Sequence, residues 1–226
     1  MTGHAGLQTH HASILPHPLD AVLFDMDGVV TDTAKVHAAA WKGLFDEFLK
    51  ERADRDGMAY QPFDPRKEYR QYVDGQPRYD GVKSFLDSRS IQLPYGREDD
   101  RPDRETVCGL GNRKDRHFQS WLEDHHARAY PGTVKLIREL RRVGVKTAVF
   151  SASGNTEAVL RNAGVFDLFD TKVDGRDLAR LGLPGKPDPA ILLEAARQLG
   201  AEPGNTAVLE DAIAGLRPGS PADLAL

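Results

Sequence analysis

Hydrophobic residues in this chain follow two patterns that alternate along much of its length. Short apolar runs at Ala21–Phe24, Val145–Phe150 and Thr206–Leu209 are typical of buried strands, and each run ends in polar residues. Elsewhere the apolar residues recur at helical spacing, as in the segment from about Ala34 to Lys50. Strands that alternate with helices predict an α/β fold, in which a Rossmann-like parallel sheet carries helices on both faces.

The second half of the chain predicts further helices and one more short strand. Helices are expected to end near Gly144, Gly164 and Gly200, because glycine readily adopts the left-handed conformation that closes a helix. A strand is expected near Thr171–Val173.

The segment Glu51–His126 has a different character from its surroundings. Charged residues dominate it, glycine and proline interrupt it, and it shows no alternation typical of strands. We expect a mainly helical insert with a long loop around Leu93–Arg104. The chain would then consist of a discontinuous core domain, residues 19–34 and 128–226, and a helical cap domain, residues 35–127.

Composition excludes several classes of protein. The formal charge of −4 over 226 residues gives no sign of a nucleic-acid-binding surface, and no apolar run reaches the ~20 residues that span a bilayer. Cys108 is the single cysteine, which fits a reducing compartment and an unreactive buried thiol. Residues 1–18 hold four histidines but do not have the pattern of a secretory signal, so we expect them to form a disordered leader. We expect the protein to be cytoplasmic and monomeric.

Polar residues with related chemistry follow three of the predicted strands. In an open parallel sheet, ligands bind beyond the carboxyl ends of the strands, so these residues are expected to share one crevice. A lysine in a Gly-Lys-Pro sequence, expected at the start of a helix, would join them. The set is Asp25, Asp27, Ser151, Lys186, Glu210 and Asp211.

This set of side chains suits the transfer of a phosphoryl group. Mg²⁺ prefers a few carboxylates, water and a substrate phosphate, and it would join Lys186 in neutralising the charge of that phosphate. Ser151 and the backbone N–H groups after it could hold phosphate oxygens at a helix N-terminus. A carboxylate freed for attack could accept the phosphoryl group.

The segment Phe24–Thr33, with the sequence FDMDGVVTDT, resembles the first motif of the haloacid dehalogenase superfamily. Ser151, Lys186 and the pair Glu210-Asp211 resemble its second, third and fourth motifs, in the same order. A simpler interpretation of Glu210-Asp211 is a negatively charged helix N-cap, but it leaves the other three motifs unexplained.

The resemblance implies a function for each motif residue. Asp25 would be the nucleophile, and Asp27 the general acid and base. The phosphate would be held by Ser151, Ala152, Asn155 and Lys186. Mg²⁺ would be bound by Asp25, the main-chain carbonyl of Asp27, Glu210 and Asp211.

Within the superfamily, the chain most resembles the β-phosphoglucomutase group. His37, four residues after Thr33, is similar to a histidine of that group that lies near the general acid and base. Arg78 lies in a segment that resembles the cap region binding the distal phosphate, and Lys114 in one that contacts the sugar. All three could instead be ordinary surface residues. The resemblance implies interconversion of β-glucose 1-phosphate and glucose 6-phosphate, with Mg²⁺ as cofactor and glucose 1,6-bisphosphate as activator and intermediate.

Two alternatives stay open at this stage. One is a phosphatase of small sugar phosphates, and the other is a non-catalytic remnant or sugar-phosphate-binding module. A dehalogenase is disfavoured, because the acidic groups predict a magnesium site that dehalogenation does not need. Arg217–Leu226 does not resemble the continuation of the family core, so we expect a truncated core and a poorly stable protein.

Overall fold

The computed structural model describes residues 19–211. At the centre of this part of the chain is a parallel sheet with the strand order β3-β2-β1-β4. Its strands are β1 (Ala21–Asp25), β2 (Lys146–Phe150), β3 (Thr171–Val173) and β4 (Thr206–Leu209). Phe24 pairs with Leu209 on one side of β1, and Asp25 pairs with Phe150 on the other. This register brings the carboxyl ends of the three strands to the same edge of the sheet.

Seven α-helices accompany the sheet within residues 19–211. They are α1 (Ala34–Asp56), α2 (Arg78–Ser88), α3 (Val107–Asp124), α4 (Pro131–Arg142), α5 (Thr156–Asn162), α6 (Gly175–Leu181) and α7 (Ala190–Leu199). A short π-helical turn, Tyr69–Val73, lies between α1 and α2. No helix in this range is both long enough and apolar enough to cross a membrane.

Alternate residues of β1 belong to different hydrophobic clusters on the two faces of the sheet. Val22 and Phe24 pack with α4 and α5, while Ala21 and Leu23 pack with α6 and α7. Because the sheet is covered on both faces, Ala21–Phe24 of β1 and Ala148–Phe150 of β2 are apolar at every position rather than at every second one. The sequence-based prediction of an α/β fold with helices on both faces is therefore confirmed.

The insert between β1 and α4 has its own hydrophobic cluster. Phe45 of α1 stacks on Trp41 and packs against Phe85 of α2, with ring centroids 5.3 and 3.9 Å apart. The two chain crossings to the core lie side by side, since Asp32 N–H donates to the Arg128 carbonyl at 2.9 Å. These crossings are close to the boundaries expected from sequence, although the division into core and cap domains itself stays a prediction.

Local differences from the sequence-based expectations have simple causes. Helix α1 continues past Lys50 to Asp56, because the residue that ends it is Gly57, which has a φ of 65°. Helix α6 was not expected, although the capping box formed by Asp174 and Asp177 was a signal for its start. The predicted leader and the predicted truncated C-terminus lie outside the described residues.

Candidate active site

The strand ends bring a buried lysine against two carboxylates. Lys186 Nζ donates to Asp25 Oδ1 at 2.7 Å and to Glu210 Oε2 at 2.6 Å. Both Asp25 and Lys186 are less than a tenth exposed. The expectation that Lys186 starts a helix is wrong: it lies in a turn, and α7 begins only at Ala190.

Three carboxylates at this edge could hold a metal ion. Asp25, Glu210 and Asp211 each offer an oxygen, and these atoms all lie within 4.8 Å of one another. Gly28 contributes space, because a β-carbon at that position would overlap the Asp211 carboxylate. The side chain of Asp27 faces the cap instead, so Asp27 could join the set only through its main-chain carbonyl, as the resemblance implied.

The pKa values of the ionisable groups at this edge indicate that one lysine does not balance the negative charge of the carboxylates around it. Burial raises the pKa of Asp25 to about 8; Lys186 opposes this shift, while Glu210 and Asp27 add to it. Burial and the charge of Glu210 also raise the pKa of Asp211. Burial acts to lower the pKa of Lys186, yet Asp25 and Glu210 hold it above its ordinary value. Clustered hard oxygen ligands of this kind fit a divalent cation such as Mg²⁺.

The loop after β2 leaves two backbone donors available. Ser151 Oγ accepts from the Ser153 N–H at 3.1 Å, and Ser153 Oγ accepts from the Asn155 N–H at 3.2 Å. Among residues 19–211, no group accepts from the N–H of Ala152 or Gly154. These two N–H groups are the backbone donors open to a phosphate. The expected helix N-terminus lies further along, since α5 begins at Thr156.

Asn155 was predicted to bind phosphate, but in this structure its buried amide joins the loop to the cap. Its Nδ2 donates to Asp115 Oδ1 at 2.7 Å, and its Oδ1 accepts from Gln119 Nε2 at 2.8 Å. Both partners belong to α3. The amide therefore holds the loop of residues 151–155, called the phosphate loop below, against the cap, and phosphate binding by Asn155 stays a prediction.

A chain of polar contacts connects Asp27 to the cap. Lys114 Nζ lies 2.7 Å from His37 Nδ1, and His37 Nε2 lies 3.4 Å from Asp27 Oδ1, which is long for a hydrogen bond. Thr33 Oγ1 also donates to this carboxylate oxygen. The His37 ring stacks on Phe118 with centroids 4.2 Å apart, which fixes the plane of the imidazole. On the other side of Asp27, Ser151 Oγ approaches Oδ2 at 3.4 Å.

Burial and charge set the protonation states along this chain. Burial and the Lys114 charge lower the pKa of His37, so the imidazole is neutral near pH 7. Burial and the Arg78 charge lower the pKa of Lys114 to about 8. Burial acts to raise the pKa of Asp27, but His37 and Thr33 outweigh it and the pKa lies below its ordinary value. Asp27 is therefore ionised and can accept a proton.

Arg78 reaches the same cleft from the start of α2. Its Nη1 donates to Asn112 Oδ1 at 3.1 Å, and its Nη2 lies 3.3 Å from Asp115 Oδ1. Arg78 and Lys114 thus place two cationic side chains on the cap side of the cleft, where Asp74 and Asp115 also lie. The cleft has a volume of about 70 Å³ and contains all the predicted catalytic side chains.

The site can be compared with known proteins. A family model of haloacid dehalogenase-like hydrolases matches residues 19–223. The chain belongs to this family. A β-phosphoglucomutase from Mycobacterium bovis is 44% identical over 212 residues, which cover 94% of this chain and 81% of that protein. The chain is accordingly an enzyme of phosphoryl transfer, as the resemblance implied.

Solved structures show the same relationship. A β-phosphoglucomutase from Clostridium difficile superposes with a TM-score of 0.69 at 26% identity, covering 87% of this chain and 78% of that one. The CbbY protein of Rhodobacter sphaeroides, solved in complex with xylulose-(1,5)bisphosphate, gives a TM-score of 0.64 at 25% identity, covering 88% and 80%.

Sequence reasoning missed several residues of this haloacid dehalogenase-like site. Thr33 ends the motif segment Phe24–Thr33 and Asp115 directly follows Lys114, so the sequence indicated their positions but not their contacts. The π-helical turn and the residues after it gave no periodic signal, yet they line the cleft. The missed residues are Thr33, Trp41, Tyr69, Asp74, Gln76, Asp115 and Ser153.

Proposed function

We propose that this enzyme is a β-phosphoglucomutase, which interconverts β-glucose 1-phosphate and glucose 6-phosphate. The observation that carries the proposal is the contact chain from Lys114 through His37 to Asp27. It connects the proposed general acid and base to a cap lysine that lies near Arg78, an arrangement that serves a substrate held at both ends. The name of the Mycobacterium bovis relative supports the same reaction.

The proposed reaction begins with a phosphoryl group on Asp25. The 6-hydroxyl of β-glucose 1-phosphate attacks this phosphorus while Asp27 accepts the hydroxyl proton, and the bond from phosphorus to the Asp25 oxygen breaks. The resulting glucose 1,6-bisphosphate turns around within the cleft. Asp25 then attacks the phosphorus at C1, Asp27 returns its proton to the C1 oxygen, and glucose 6-phosphate leaves.

The surroundings of Asp27 suit this two-way proton transfer. The lowered pKa of Asp27 keeps its carboxylate ionised before the sugar hydroxyl binds. His37 beside it is neutral, so it can stay in place when Asp27 takes up and releases the proton. Ser151, Lys186 and the free N–H groups of the phosphate loop would hold the phosphoryl oxygens. Mg²⁺, bound by Asp25, Glu210 and Asp211, would neutralise part of the charge on the transferring group.

The cap would keep water away from the phosphorylated Asp25. The cleft volume of about 70 Å³ is well below the ~300 Å³ at which ligand pockets usually begin. The cleft is therefore narrow for a sugar phosphate, and movement of the cap would widen it for substrate entry. Exclusion of water favours return of the phosphoryl group to a sugar over hydrolysis.

Phosphorus NMR would test the proposal with β-glucose 1-phosphate, Mg²⁺ and a trace of glucose 1,6-bisphosphate. We expect glucose 6-phosphate to form with the wild-type protein but not with Asp25→Ala. Asp54→Asn is a matched control, because it removes a carboxylate on the solvent side of α1. Release of inorganic phosphate in place of glucose 6-phosphate would identify a phosphatase and overturn the mutase proposal.

A further inference from the structure

The start of helix α6 is pressed against the phosphate loop. The Gly175 N–H donates to the Ser153 carbonyl at 3.2 Å, and a β-carbon at Gly175 would overlap the Ala152 carbonyl oxygen. The Asp174 side chain accepts from the N–H groups of Arg176 and Asp177, which fixes the direction of the helix. These backbone contacts hold Arg176 beside the phosphate loop, independently of the contacts that its side chain makes.

The side chain of Arg176 and that of Arg78 converge on Gly154. A β-carbon built at Gly154 would lie 3.7 Å from Arg176 Nε and 4.0 Å from Arg78 Nη2. Gly154 itself presents no side chain between them. One guanidinium belongs to the core and the other to the cap, and the two are close enough for one phosphate group to contact both.

The two arginines differ in how far their charges are already balanced. Arg78 lies 3.3 Å from the Asp115 carboxylate, which offsets part of its charge. Among residues 19–211, by contrast, the Arg176 guanidinium has neither an ion-pair nor a hydrogen-bond partner. A phosphate dianion at this end of the cleft would need more positive charge than Arg78 supplies alone, and Arg176 is placed to provide it.

A second opening lies beside this pair. It has a volume of about 340 Å³ and lies between the cap and the core, and its lining includes Arg78, Gly154 and Arg176. The first two also line the cleft that contains Asp25. A phosphate at Gly154 would therefore lie where the small cleft meets the larger opening.

We propose that Arg176 binds the phosphate group that is not being transferred, together with Arg78. It would make the enzyme select sugars that carry a phosphate remote from the reacting one, such as a hexose bisphosphate. This inference rests on the proposed function for the identity of the ligand. Its new element is an exposed arginine of the core, on α6, acting as a specificity-determining residue.

Calorimetric binding of glucose 1,6-bisphosphate to the full-length protein tests this directly. An Asp25→Asn background prevents turnover during the titration. Loss of a charged hydrogen-bonding group costs roughly 10- to 100-fold in affinity, so Arg176→Ala should weaken binding by about that factor. Arg176→Lys should recover part of the affinity, because the charge returns without the guanidinium fork. Arg180→Ala, on the same helix but paired with Asp177, is the matched control and should bind normally.

Acetyl phosphate provides a second readout, since it can phosphorylate Asp25 but carries no remote phosphate. In an otherwise wild-type protein, Arg176→Ala should leave acetyl phosphate turnover unchanged and raise the KM for glucose 1,6-bisphosphate. A structural defect would instead lower both activities.

The outcomes separate this inference from the proposed function. Equal bisphosphate affinity in Arg176→Ala and wild type would overturn the assignment of Arg176 and leave the mutase proposal intact. Arg176-dependent binding without formation of glucose 6-phosphate would support the assignment and overturn the mutase. Absence of bisphosphate binding by the unaltered site would overturn both.

Discussion

The two sides of the cleft are built in different ways. On the core side, Asp25 is the last residue of β1, while Ser151 and Glu210 directly follow β2 and β4. Hydrogen-bonded register sets their relative positions. On the cap side, His37 and Lys114 come from helices whose relative position depends on side-chain packing. The core side would carry out phosphoryl transfer, while the cap side would hold the sugar and control access.

This difference affects how each side tolerates change. Sheet register is cooperative and leaves the strand ends little freedom, which suits a nucleophile that must be placed within a fraction of an ångström. Packed helices can shift as a unit, which suits a cap that opens and closes. Removal of a core group should therefore abolish chemistry, whereas removal of a cap group should change affinity, proton transfer or water exclusion.

The largest expected effect is that of Asp25→Ala. Without the nucleophile no phosphorylated protein can form, and we expect activity to fall by about 10⁴-fold or more. Intact-protein mass after treatment with acetyl phosphate would show the phosphoryl adduct in wild type only. An adduct of equal yield in Asp25→Ala would show that another residue is the nucleophile. The core side would then not carry out phosphoryl transfer in the way described above.

Asp27→Asn should have the next largest effect, and its size should depend on the substrate. Loss of a general acid and base lowers a rate by about 10²- to 10⁴-fold, so transfer to and from sugar hydroxyls should fall by that factor. Acetate leaves without needing a proton, so Asp25 should still be phosphorylated by acetyl phosphate. Equal loss of both reactions would contradict proton transfer by Asp27.

Lys114→Met should reduce mutase activity by about 10- to 100-fold, because it removes a buried charged contact to His37. The Lys114 charge helps to lower the pKa of His37, so the substitution should raise that pKa and protonate the imidazole at a higher pH. NMR titration of the His37 ring measures this shift. Lys83→Met, on the exposed face of α2, is the control. An unchanged His37 pKa would show that the two groups are not coupled.

The smallest effect concerns stability without Mg²⁺. Burial raises the pKa of Asp25 from 3.8 to about 8, so its favourable contribution is complete below pH 4 and is lost as pH rises through 8. Asp25→Asn lacks this titration. Melting curves in EDTA should show wild type losing stability relative to Asp25→Asn between pH 5 and 9, and Mg²⁺ should reduce the difference. A constant difference across this range would argue against a raised pKa.

Much of the core side could be predicted from the sequence. In β1 and β2 an apolar run, Ala21–Phe24 or Ala148–Phe150, is followed at once by a functional residue, so one local pattern specifies both the strand and the position of the chemistry. The order of the motifs then indicated the family, which the comparisons confirm. Helix α6 was not predicted, because its start was signalled only by the capping box at Asp174, and Arg176 was missed with it.

Contacts between distant segments could not be predicted in the same way. Lys114 and His37 are separated by 77 positions, and Arg176 and Arg78 converge on a glycine of a third segment. No local periodicity encodes such pairs, because they depend on how α1, α3 and α6 pack around the phosphate loop. The resemblance marked Lys114 and Arg78 as cap residues but said nothing of their partners.

The sequence by itself determined the α/β fold, the family and the identity of the residues at the strand ends, since those features follow from hydrophobic patterning and local motifs. Only the tertiary structure decided which charges are buried and which are paired. That distinction depends on long-range packing, because a neighbour a few ångströms away sets the pKa and the available charge of each group. Arg176 illustrates the point: in the sequence it is one arginine among many, and its place beside Gly154 gives it a function to test.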